Sequence, residues 1–223
     1  MLAGDKVLVA IASDGQVRVF DRDGRRERGA TWSARMPHKF KAEGDFVKRL
    51  DRPERRKSVP PGDIIQRMRL SKRDRLLDVG AGIGYFSVPF AAKAKEVVAL
   101  DSEPKMLRVL EERAARGRRA NIGTAVGDAL YLPFDDGSFD RVFLAFVYHE
   151  LALPALVIEE CSRVLGPKGR LTVVDFQRWE TPFGPPVGER KPPEHVERRA
   201  KKRFWMEALY SETVYYQLEF RRL

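Results

Sequence analysis

The chain has 223 residues, 43% of them hydrophobic, and carries 42 Lys and Arg against 32 Asp and Glu for a net charge of +10. That length can bury a proper core, and one domain is the default. The single cysteine, Cys161, excludes an intramolecular disulfide and any cysteine-rich metal site, so no metal is expected.

The longest apolar runs, such as 142–148, are far too short to span a membrane, and no cleavable leader is evident. A cytoplasmic placement follows, with a monomer or homodimer left open. The charge is unevenly spread. The first 75 residues hold 20 basic and 11 acidic side chains, which leaves 22 basic against 21 acidic in the remainder. Such asymmetry can mark a nucleic-acid partner or an anionic substrate, although a solvated basic face is the plainer reading. Charged residues at 33% and a lone asparagine, Asn121, hint at a thermophilic source.

In chain order, residues 6–12 and 16–20 alternate or run apolar around Ser13-Asp14-Gly15, a good hairpin signal. A second turn at Arg22-Asp23-Gly24-Arg25 extends it. The hairpin has three open roles: covering a sheet edge, dimerising, or walling a pocket. Proline-punctuated segments follow at 36–40, 51–56 and 60–65.

From Arg75 the pattern alternates. Strands are predicted at 75–79, 96–100, 122–126, 141–146 and 170–176, with helices at 85–94, 104–116 and 154–165 between them. Pro104 suits a first helical turn and Gly117 a stop. Alternation of this kind implies a parallel sheet with helices on both faces, an α/β Rossmann-like fold that binds its ligand at the carboxyl ends of the strands. Asp78, Asp101, Asp128 and the segment 145–150 all fall at those ends. Beyond Gln177, Thr181-Pro182-Phe183-Gly184-Pro185-Pro186 reads as a loop on the ligand side. A helix at 193–202 and strands at 204–211 and 214–221 close the chain, with helix through 205–209 as the competing reading.

The stretch Leu76-Leu77-Asp78-Val79-Gly80-Ala81-Gly82-Ile83-Gly84 is a buried strand running into a glycine turn. Alternate glycines there let a ligand approach the backbone closely. Asp101, one helix further on, ends its strand where an acid can hold a ribose diol. A dinucleotide fingerprint would need a third glycine at Tyr85; the glycine falls one residue early, at Gly84, which suits a nucleoside ligand without a pyrophosphate and argues against NAD.

Four ordered segments carry a wider resemblance. They are 78–84; Asp101; Gly127-Asp128-Ala129-Leu130-Tyr131-Leu132-Pro133-Phe134 with Asp136-Gly137-Ser138-Phe139-Asp140; and Val164-Leu165-Gly166-Pro167-Lys168-Gly169-Arg170-Leu171 running to Asp175. Together they resemble the class I S-adenosylmethionine-dependent methyltransferases, in particular the small-molecule branch with quinone and sterol C-methyltransferases.

The resemblance implies a mostly parallel seven-stranded sheet and S-adenosylmethionine as cofactor. It divides the chain into an N-terminal β-hairpin extension at 1–35, a helical cap on the substrate side at 36–74, and the cofactor-binding domain at 75–223. Gly80, Ala81, Gly82 and Gly84, with Asp78 nearby, would shape the loop around the methionine and ribose. Asp101 would bind the ribose, with Ser102 adjacent. Asp128 and the Ala129 backbone N–H would meet the adenine, and Ala145 would line the site.

Tyr148-His149-Glu150 is the best acceptor-side candidate: His149 can accept a proton near neutral pH and Tyr148 can orient an acceptor. Tyr85, Phe86, Lys39 and Phe40 are further pocket candidates. A small-molecule acceptor is favoured over RNA, because no base-flipping signature of the Asn-Pro-Pro-Tyr type and no RNA-binding module is present. A non-catalytic nucleoside-binding subunit is the non-enzymatic alternative.

Overall fold

The structure, a computed structural model, describes residues 8–11, 17–20 and 50–223. The second turn at 22–25, the segment 36–40 with Lys39 and Phe40, and most of the basic N-terminal third lie outside the described residues. Two short strands, β1 (Leu8–Ile11) and β2 (Val17–Phe20), pair antiparallel in the register Leu8 with Phe20. Cα atoms of β1 come close to those of β5 (Ile122–Val126), so the hairpin lies against that edge strand.

The main sheet has seven strands. In chain order these are β3 (Arg75–Val79), β4 (Glu96–Asp101), β5, β6 (Phe139–Ala145), β7 (Leu165–Phe176), β8 (Phe204–Ser211) and β9 (Tyr215–Arg222). Their spatial order is β5-β4-β3-β6-β7-β9-β8. β3 to β7 run parallel and β9 inserts antiparallel between β7 and β8. β3 sits between β4 and β6, where the winding direction reverses. That places its carboxyl end at the crevice where open α/β sheets bind ligands.

The interior strands are apolar on both faces, as covered parallel strands must be. On one face Leu76, Val97, Phe143 and Val174 pack under three helices, α2 (Pro61–Met68), α3 (Ser87–Ala91) and α4 (Pro104–Arg116). On the other, Leu77, Leu144, Val173 and Leu218 pack under α5 (Pro154–Val164) and α6 (Pro193–Ala200). A first short helix, α1 (Pro53–Ser58), precedes α2. Proline opens five of these helices at a first or second position, where its missing N–H has no intrahelical partner to lose. No helix among the described residues is long and apolar enough to cross a membrane.

Several boundaries differ from expectation. α3 is far shorter than the predicted 85–94, because the glycine turn persists to Phe86 and Ala92 to Lys95 already bend back toward β4. β7 starts at Leu165, with Gly166-Pro167-Lys168-Gly169 carried inside the strand rather than outside it. The C-terminal pair is strand, not helix: alternate residues of β8 are exposed, from Trp205 through Glu207 and Leu209 to Ser211.

Candidate active site

The glycine turn after β3 is built from three left-handed residues, Gly80 at φ 73°, Gly82 at φ 54° and Gly84 at φ 77°. They are not equivalent. A Cβ on Gly80 would lie 2.4 Å from Val147 Cγ2, and one on Gly84 would lie 2.6 Å from Leu110 Cγ. A Cβ on Gly82 would meet nothing within 4 Å. Gly80 and Gly84 therefore let the turn pack against its neighbours, while Gly82 faces open space at the crevice.

Asp101, at the end of β4, braces this turn. Its Oδ2 accepts the Gly82 N–H at 2.8 Å and its Oδ1 accepts the Glu103 N–H at 2.9 Å. Burial pushes its pKa up, partly offset by those two N–H groups. Each oxygen keeps a lone pair for a ligand hydroxyl. Asp78 is fully enclosed: Ser87 Oγ on α3 donates to its Oδ2 at 2.5 Å, and burial raises its pKa to about 7. Its part is to tie β3 to α3 beneath the turn. Ala81 is buried against Ala99, Leu107 and Leu110. Ser102 is exposed beside Asp101.

The next wall is the segment after β5. Asp128 Oδ1 accepts the Leu130 N–H at 2.9 Å, and the Asp128 carbonyl accepts the Tyr131 N–H, so the side chain closes a turn and leaves Oδ2 available. Ala129 packs on the core below. The following residues are buckled to α5 by Arg163, whose guanidinium donates to the carbonyls of Leu132 at 2.8 Å and Phe134 at 2.7 Å, and to Asp136 Oδ1 at 2.8 Å. Glu160 grips the same guanidinium through both oxygens.

The segment after β6 divides the acceptor-side candidates. Tyr148 is 1% exposed in the core under α5 and α6, with its hydroxyl 3.1 Å from His195 Nδ1. That position leaves it no face toward an acceptor, so the expected orienting role gives way to a packing role. His149 points the other way. Its Nδ1 lies 2.7 Å from Asp175 Oδ1, its backbone N–H donates to Asp175 Oδ2 at 2.8 Å, and its Nε2 lies 3.4 Å from Glu150 Oε1. Burial lowers the His149 pKa, but hydrogen bonds to Asp175 and Glu150 outweigh it and the net value is pushed up to about 9. The imidazole is thus charged at neutral pH and donates rather than accepts. Glu150 also raises the Asp101 pKa through its charge.

Sequence reasoning missed an aromatic wall. Phe146, at φ 58°, leaves β6 in a left-handed conformation that costs a residue with a Cβ about 1 kcal/mol or more. Its ring lies 4.5 Å from that of Phe176, which in turn meets His149 at 5.6 Å and Phe183 of the Pro/Gly-rich loop at 6.1 Å. Phe86 extends the wall from the α3 side at 6.4 Å from Phe146. Ala145 is half-buried against the same cluster. Tyr85 is buried with its hydroxyl donating to the Val59 carbonyl at 2.8 Å. The loop at 181–186, the segment 145–150 and Phe86 had been placed on this side; the packing of Phe146 on Phe176 had not.

An elongated nucleoside with a diol fits these residues: Gly82 leaves the space and Asp101 presents the acceptors. Among the described residues no group of three or more His, Cys, Asp or Glu could hold a metal ion.

Residues 77–173 match the family described as a methyltransferase domain. A demethylmenaquinone methyltransferase of Renibacterium salmoninarum is 40% identical over 111 residues, covering 50% of this chain and 44% of that protein. The chain spans less than half the length of the first curated relatives it matches. A SAM dependent methyltransferase from Aquifex aeolicus superposes with a TM-score of 0.76 at 23% identity, covering 82% of this chain and 100% of that one. The [4+2]-cyclase SpnF superposes with a TM-score of 0.65 at 19% identity over 73% of this chain and 80% of its own, so the fold by itself does not name a reaction. Residues 77–173 are thus similar to a methyltransferase domain, and the seven-stranded sheet that holds them has the fold of the solved methyltransferase on which it superposes.

Proposed function

We propose that this protein transfers a methyl group from S-adenosylmethionine to a small planar acceptor of the quinone type, held against Phe146, Phe176 and Phe183. The observation that carries the reading is the pairing of Asp101 with the Gly82 N–H at 2.8 Å, beside a turn whose Gly82 faces open space. When bound, the cofactor supplies a methyl group on a sulfonium, already a good leaving group. What the chain must add is placement, which can lower a barrier by on the order of 7–11 kcal/mol in favourable cases.

The residues divide that work. Asp101 fixes the ribose, Gly80, Gly82 and Gly84 shape the turn, and Asp128 with the Ala129 N–H meets the adenine edge. The aromatic wall stacks the acceptor and keeps water off its reacting face. His149, charged and held between Asp175 and Glu150, sets a positive charge beside the acceptor and favours its ionised form, which makes the acceptor a better nucleophile. A relative named for demethylmenaquinone supports a quinone-type acceptor.

Calorimetric titration with S-adenosylhomocysteine, with NAD as control, tests the cofactor half. Saturable binding of the first and none of the second is expected; binding of NAD alone would sink it. Transfer of label from methyl-labelled cofactor to reduced demethylmenaquinone tests the acceptor half. Labelling of bulk RNA with none of the quinol would replace it with the nucleic-acid reading.

A further inference from the structure

Arg55 on α1 is a cation set among rings. Its guanidinium lies 4.6 Å from the centroid of Tyr85 and 5.2 Å from that of Phe146. Its one hydrogen bond among the described residues is to the Leu50 carbonyl at 3.2 Å. The carboxylate that acts on it, Asp51, is already taken by Arg56 at 2.7 Å and Arg113 at 2.9 Å, and among the described residues Arg55 forms no ion pair. Half-buried against these rings, it has its pKa lowered by burial. A desolvated charge is costly unless an anion comes to it.

Its place in the fold says which anion. Tyr85 directly follows Gly84, and Phe146 directly follows Ala145 at the end of β6. Arg55 therefore hangs over the β3 and β6 side of the crevice. Asp101 stands at the other end of the same turn, on β4. The glycine turn has an acid at one end and a cation at the other. A ligand whose diol meets Asp101 extends along the turn toward Arg55, and its far end must be negative to match.

We infer that Arg55 is the residue that binds the carboxylate of the cofactor's methionine portion, through guanidinium donors held beside Tyr85 and Phe146. The assignment rests on the cofactor reading above. A planar guanidinium suits it better than an ammonium, because it stacks on the rings while keeping its edge for a two-pronged carboxylate contact. Anchoring that carboxylate also fixes the sulfur and its methyl opposite the aromatic wall.

The test needs no acceptor. Wild type, Arg55→Gln and Arg55→Lys are titrated calorimetrically with S-adenosylmethionine and with its decarboxylated form, which keeps the nucleoside and the amine. Wild type is expected to prefer the carboxylated ligand by about tenfold, about 1.4 kcal/mol. Arg55→Gln should lose that preference, with affinity for the decarboxylated ligand unchanged, and Arg55→Lys should retain part of it. Melting curves of the three proteins establish that each is folded.

Equal losses for both ligands in Arg55→Gln would make Arg55 a packing residue and overturn the assignment, as would no loss for either. Wild type that binds neither ligand would overturn the cofactor reading and this assignment with it. Wild type that binds both equally would overturn this assignment alone.

Discussion

Replacing Asp101 with Ala removes the side chain on which the cofactor half of the proposal turns. Each of its oxygens accepts one backbone N–H, Gly82 at 2.8 Å and Glu103 at 2.9 Å, and each keeps a lone pair for one hydroxyl of a diol. Hydrogen bonds to a charged group contribute about 1.5–3 kcal/mol each. Asp101 is only half-buried, so the lower figure applies, and two such bonds give about 3 kcal/mol, roughly 150-fold in affinity.

Asp101→Asn separates charge from shape. Its amide has one oxygen for two backbone N–H groups and a ligand, so a donor must face a donor, and an intermediate loss of roughly tenfold follows. Titration with S-adenosylhomocysteine reads both variants. Acid should also weaken wild-type binding at a higher pH than an ordinary aspartate would, because burial raises this pKa and only the ionised form can accept both hydroxyls. Affinity of Asp101→Ala within threefold of wild type, with the melting temperature unchanged, would refute the assignment of the ribose site.

The glycines offer a contrast. Gly80→Ala should cost about 2–3 kcal/mol of stability, since its Cβ meets Val147 at 2.4 Å as well as the left-handed backbone, and Val147→Ala should restore part of it in chemical denaturation. Gly82→Ala should cost only about 1–2 kcal/mol of stability and show its main effect in cofactor affinity; Gly82→Val should be worse in affinity than Gly82→Ala. The His149 ring is expected to titrate near 9 by NMR; in Asp175→Asn burial is left with less opposition and the midpoint should fall by more than one unit, whereas an unchanged midpoint would mean that Asp175 does not hold the charge. Asp78, raised to about 7 from 3.8, keeps its proton longer in the folded state than in the unfolded one. Its contribution is fully present below about pH 4 and lost as pH rises through 7. Wild type should therefore lose stability relative to Asp78→Asn between pH 4 and 7; Glu219, also raised to about 7 by burial, titrates in both proteins and cancels.

The cofactor side of the site was legible because its chemistry is local. Gly80, Gly82 and Gly84 announce a turn, Asp101 and Asp128 follow strands that read plainly, and β3, β5 and α4 fall at the expected residues. The acceptor side was not, because it is assembled across the fold. The partner of His149 is Asp175, 26 residues away on the next parallel strand, and nothing in the Tyr148-His149-Glu150 triplet says which of its side chains turns to the core. Phe146 and Phe176 read as strand ends until the register of β6 and β7 sets their rings 4.5 Å apart. Arg55 was one arginine among many in a basic third until Tyr85 and Phe146 were found around it.

The Arg163 buckle has a thermal consequence. It fastens residues 132–136, beside the slot proposed for the adenine, to α5, whose Val157, Ile158, Cys161 and Val164 are all fully buried in the larger core cluster. Such a segment cannot loosen by itself, because its anchor gives way only when that cluster does. Heating should therefore abolish nucleoside retention and global structure in one cooperative transition, with no intermediate temperature at which an intact protein has lost its adenine slot.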